Sequence, residues 1–75
     1  MHDPWAGELD RVVAAETLAR LAPQHRLVLT LRYVDDLPVA EVAAVLGRTV
    51  RATEALLTRA KTEFRHVYPD QGGAA

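Results

Sequence analysis

Val39-Ala40-Glu41-Val42-Ala43-Ala44-Val45-Leu46-Gly47-Arg48-Thr49-Val50-Arg51-Ala52-Thr53-Glu54-Ala55-Leu56-Leu57 is the stretch that decides the fold. It reads as a short helix, a turn at Gly47 and a longer helix. Ala43 sits where the two helices must cross, and a larger side chain would push them apart. Gly47 suits a helix end that enters the left-handed region. Thr49 offers a hydroxyl to cap the helix that follows. Val42, Leu46, Val50 and Leu57 supply a small shared core. A small residue, a glycine four positions later and apolar positions that pack back make the helix-turn-helix layout. Ordinary helical hairpins share this spacing, so the stretch implies the motif without by itself implying a ligand.

At about 100° per residue, the helix after the turn separates into two faces. Val50, Thr53, Leu57, Ala60 and Phe64 form the expected core side. Arg51, Ala55, Thr58, Arg59 and Thr62 lie opposite, on a small, polar, basic surface that carries no acid. Those side chains match the edges of base pairs. Arginine forks onto guanine, threonine bonds a base or touches a thymine methyl, and alanine allows close approach. Exposed backbone N–H groups at the helix start, around Arg48 and Thr49, suit a phosphate. A merely solvated helix face would look similar. Glu54 falls at the edge of the outward face and Leu56 beside the core, where packing is the expected role.

Upstream, the pattern predicts two more helices. One runs from about Pro4 or Trp5 to Arg20, with Trp5, Leu9, Val12, Val13 and Leu21 at helical spacing. The next opens at Pro23, a favoured first helical position, and runs through Leu27, Val28, Leu29, Leu31, Tyr33 and Val34, buried on most sides. Asp35-Asp36-Leu37-Pro38 breaks the chain, and Pro38 opens a third helix ending at Leu46. The fourth runs from Thr49 to about Tyr68, where Pro69 stops it. The expected fold is all-α, a four-helix domain with a C-terminal helix-turn-helix and no winged elements. Residues 1–17 form a linker and the start of the first helix, 18–68 the domain, and 69–75 a disordered tail.

The chain has 75 residues, room for one domain with a thin core, and no cysteine to staple it. Net charge is -1, but the sign is unevenly distributed. Asp3, Glu8, Asp10 and Glu16 face only Arg11 in residues 1–19. Arg48, Arg51, Arg59, Lys61 and Arg65 outweigh Glu54 and Glu63 in residues 47–68. Such asymmetry points toward a nucleic-acid face on the back half. No run of residues is long and apolar enough to span a membrane, and the N-terminus lacks the features of a signal peptide.

Catalytic and metal constellations are absent. There is no serine nucleophile, no glycine-rich phosphate loop, and the Asp35-Asp36 pair sits at a turn without a cleft. His2, His25 and His66 lie on separate segments and read as solvated surface residues, not ligands. No enzyme activity, cofactor or metal is expected.

Two segments together resemble a known family. Leu21-Ala22-Pro23-Gln24-His25-Arg26-Leu27-Val28-Leu29-Thr30-Leu31-Arg32-Tyr33 is similar to the first half of region four of bacterial sigma factors of the extracytoplasmic-function class. Asp36-Leu37-Pro38-Val39-Ala40-Glu41-Val42-Ala43-Ala44-Val45-Leu46-Gly47, followed by Thr49-Val50, is similar to the second half. The resemblance covers residues 18–65. It implies sequence-specific binding of the upstream, minus-thirty-five promoter element as part of a cytoplasmic sigma factor directing transcription initiation. DNA contacts carried over by it fall on Arg32 (a phosphate contact), Arg51, Glu54, Ala55, Thr58 and Arg59. It also implies docking on the flap of the RNA polymerase β subunit, through an apolar surface expected at Leu18, Leu21, Val28 and Leu31. In many such factors an anti-sigma protein covers the same surfaces.

The sequence departs from the family at Glu54, where a basic residue is usual, at Ala55 and Leu56, where serine and arginine are usual, and at Thr53, where an aliphatic is usual. From its position at the edge of the face, Glu54 is expected to repel phosphate rather than read a base. A complete sigma factor also carries an earlier domain with no counterpart here, so an excised C-terminal piece is expected. Two other readings remain. A response-regulator output domain has a similar layout, but needs a further dimerising helix beyond Pro69. A protein-interaction module would keep the helix-turn-helix as scaffold and bind polymerase or an inhibitor, with weak or lost DNA binding.

Overall fold

The structure, a computed structural model, describes residues 11–69. Four α-helices follow in order: α1 (Arg11–Arg20), α2 (Pro23–Leu29), α3 (Val39–Leu46) and α4 (Val50–Val67). There is no strand among the described residues. The expected start of the first helix, with Trp5 and Leu9, lies outside the described residues, as does the tail from residue 70.

In α1 the core-facing stripe is Ala14, Thr17 and Leu18, continued by Leu21 just past its end, not the valines. Val12 is 67% exposed, which corrects its expected inward position. Thr17 is buried because its hydroxyl donates to the Val13 carbonyl at 2.7 Å, which satisfies the polar group within the helix.

Proline at the first position starts α2, but Ala22 has no side-chain oxygen to cap it. A carboxylate from α4 does so instead. Glu63 Oε1 accepts the Ala22 N–H at 3.3 Å and lies 2.7 Å from His25 Nδ1. His25 is therefore tied to α4, which corrects its reading as a solvated histidine.

Beyond Leu29 the helix widens into a π-helical turn (Thr30–Val34), where one extra residue is accommodated per turn. The Asp35 N–H donates to the Thr30 carbonyl at 2.9 Å and the Leu37 N–H to the Leu31 carbonyl at 3.1 Å. Arg32 Nη1 ties the loop by donating to the Leu37 carbonyl at 3.2 Å. Asp36 takes a φ of 59°, a conformation aspartate adopts more readily than most residues. Because the turn is widened, Tyr33 and Val34 face outward, and Leu27 is also exposed. The second helical segment is thus less buried than expected.

Pro38 precedes α3, and its carbonyl accepts from Glu41 and Val42. Val42 and Ala43 are buried, while Val39 and Leu46 lean on the core. Gly47, at φ 68° and ψ 33°, ends the helix in the left-handed region. Its N–H bonds the Ala44 carbonyl at 3.2 Å and that of Arg48 bonds Ala43 at 2.9 Å, the paired closure of a Schellman turn. The core joins Leu21, Val28 and Leu29 to Val42 and to Leu56, Leu57, Ala60 and Phe64 of α4. The Tyr68 ring stacks on Phe64 at 5.3 Å.

Candidate nucleic-acid interface

The Gly47 turn delivers the chain to Thr49, whose hydroxyl accepts the Ala52 N–H at 3.0 Å and so caps α4. The Thr53 side chain is fully buried and spends its hydroxyl on the Thr49 carbonyl at 2.8 Å. The start of α4 is therefore held from both sides, and Arg48, Thr49, Val50 and Arg51 stand exposed around it.

Along α4, Arg51, Glu54, Ala55, Thr58, Arg59 and Thr62 are all exposed. Five of these are the side chains expected on the outward face; Glu54, expected at its edge, is exposed as well. Thr58 donates its hydroxyl to the Glu54 carbonyl and Thr62 to the Thr58 carbonyl, both at 3.1 Å. Their hydroxyl protons are thus occupied within the helix, while their oxygens can still accept. The guanidinium groups of Arg51 and Arg59 and the carboxylate of Glu54 have no ion pair among the described residues.

The inward face differs from expectation at one position. Leu56 is 1% exposed and packs in the core, as expected, whereas Val50, expected on the core side, is 45% exposed. Leu56, Leu57, Ala60 and Phe64 fill the space against α2 and α3, and Val50, at the helix start, lies clear of it. Two adjacent leucines in this segment are the signal that Val50 was the wrong fifth member of the core face.

Arg32 sits on the π-helical turn, half-buried, with one of its five N–H groups spent on Leu37. Its guanidinium carbon lies 5.4 Å from the centroid of the Tyr33 ring, and Lys61 Nζ of α4 lies 5.3 Å from the same centroid. Tyr33 thus joins Arg32 to α4, a link the sequence reading missed. Only the helical phase of Lys61 and the exposed aromatic could have signalled it. The expected apolar docking surface is not assembled as drawn. Leu21 and Val28 are buried, and Leu18 and Leu31 pack against the core, because all four are needed to fill a domain this thin.

No group of three or more potential metal ligands occurs among the described residues, and no described helix is long and apolar enough to cross a membrane.

Comparison with known proteins agrees with this geometry. The family model of sigma-70, region 4, matches residues 11–64. The chain is 32% identical over 69 residues to the ECF RNA polymerase sigma factor BldN of Streptomyces coelicolor, covering 92% of this chain and 26% of that protein. It is also 32% identical over 65 residues to the RNA polymerase sigma-E factor of the same organism, covering 87% of this chain and 37% of that one. The chain thus spans well under half the length of these curated relatives. No solved structure matches it. A family match over most of the described residues, on a capped helix-turn-helix with an exposed basic face, places the chain in the sigma-70 region 4 family.

Proposed function

We propose that this domain binds the upstream, minus-thirty-five promoter element through the outward face of α4, as part of a sigma factor directing initiation by bacterial RNA polymerase in the cytoplasm. The observation that carries the reading is the exposed Arg51 and Arg59, without an ion pair among the described residues, on a helix whose start is fixed by the Gly47 turn and the Thr49 cap. A helix-turn-helix presents this helix to the major groove, its first residues nearest the base edges. Arg48 at the turn and Arg32 on the π-helical turn would meet phosphates. The polymerase flap, or an anti-sigma protein, would meet the exposed apolar side chains Leu27, Tyr33 and Val34 in place of the buried Leu21 and Val28.

Titration of the chain against a library of promoter duplexes at low salt tests the reading. Selective enrichment of a subset of duplexes, weakening as salt rises, is the expected result. Retention of the polymerase β flap with no preference among duplexes would replace it with the protein-interaction reading.

A further inference from the structure

The burial of Leu56 and the exposure of Val50 change what α4 presents. With Thr53, Leu56, Leu57, Ala60 and Phe64 as its buried residues, the helix is turned by about 25° from the phase that Val50 would have set. The turn brings Glu54 toward the outward side. Arg51, Ala55 and Thr62 then occupy the centre of the face. Arg59 and Glu54 flank it at similar angles, about 65° on one side and about 75° on the other. Any docking that gives Arg59 access gives Glu54 comparable access on the opposite flank.

That flank has its own chemistry. Glu54 follows Val50 by one turn, and both are exposed near the start of α4. Arg51 lies three residues before Glu54 without pairing to it, and Thr58 bonds its main-chain oxygen instead of its carboxylate. The carboxylate has no hydrogen-bond or ion-pair partner among the described residues. A phosphate wall against this part of the helix would meet an apolar side chain and an acid. A base-pair edge suits both: the cytosine amino group donates to a carboxylate, and a thymine methyl packs on an apolar side chain.

Resting on the DNA-binding reading above, we infer that Glu54 is a specificity-determining residue, its carboxylate accepting a hydrogen bond from a cytosine amino group in the major groove, with Val50 packing on the neighbouring base.

Selection from a randomised duplex library with the 75-residue chain and its Glu54→Ala, Glu54→Gln and Glu54→Lys variants tests the assignment. The wild-type chain is expected to enrich a motif with one cytosine constraint that Glu54→Ala relaxes, discrimination there falling about tenfold. Glu54→Gln is expected to shift that position toward adenine, the base a glutamine amide recognises. A motif unchanged in Glu54→Ala, with Glu54→Lys tightening binding to every duplex alike, would overturn the inference alone and leave Glu54 as a repulsive charge. A wild-type chain that enriches no motif would overturn the DNA-binding reading and this inference together.

Discussion

Gly47 makes its turn through the backbone alone. It sits at φ 68°, and a side chain there would meet nothing within 4 Å. Substitution therefore costs only the left-handed conformation, about 1–2 kcal/mol for an ordinary residue. Gly47→Asn should fold with nearly the native melting temperature, Gly47→Ala should lose about 1 kcal/mol, and Gly47→Val should lose more, since β-branching is least tolerated there. Ala43 is the opposite case. It is buried in α3, and Ala43→Leu overpacks that site, at about 1–3 kcal/mol. Thermal melts of the four variants separate the two causes. Equal losses for Gly47→Asn and Gly47→Val would mean that space, not backbone, limits position 47. Gly47, Thr49 and Ala43 were legible in sequence because each role depends on local chemistry: a missing Cβ, a capping oxygen, a small volume.

The elements were legible in number and order, less so in phase. Val50 and Leu56 are both apolar and both lie next to core positions, so helical spacing alone admits either. Packing of α4 against α2 and α3 chooses Leu56. Urea denaturation checks the choice: Leu56→Ala should cost about 2–5 kcal/mol, and Val50→Ala less than about 0.5 kcal/mol. Similar losses would return α4 to the phase first expected. The π-helical turn was not legible at all. Leu27, Val28, Leu29, Leu31, Tyr33 and Val34 are so uniformly apolar that inserting one residue leaves no mark on their pattern. Its effect appears only as outward-facing Tyr33 and Val34. For the same reason the sequence could suggest a protein-docking surface on this segment but not which side chains form it.

Across the whole molecule, the basic back half read in the sequence becomes a positional statement. The exposed Arg48, Arg51 and Arg59 cluster on the turn and outward face of α4. Arg59, further along α4 from its start, should act on phosphate and Arg51, in the first turn, on bases. Arg59→Ala should weaken binding to all duplexes and lower the salt slope by about one. Arg51→Ala should instead flatten the sequence preference. Duplex titrations at several salt concentrations distinguish them, and an unchanged slope in Arg59→Ala would remove it from the backbone contacts. The Glu63 bridge has a consequence for how the molecule opens. A seven-residue helix such as α2 does not persist alone in water, and its cap comes from a carboxylate 41 residues further along the chain. The start of α2 can therefore close only after α4 has docked, and it must reopen when α4 leaves. Amide hydrogens of Leu29 and Ala60 should exchange with the same free energy, that of global unfolding. In Glu63→Ala, Leu29 should lose protection before Ala60 does, splitting one cooperative unit into two.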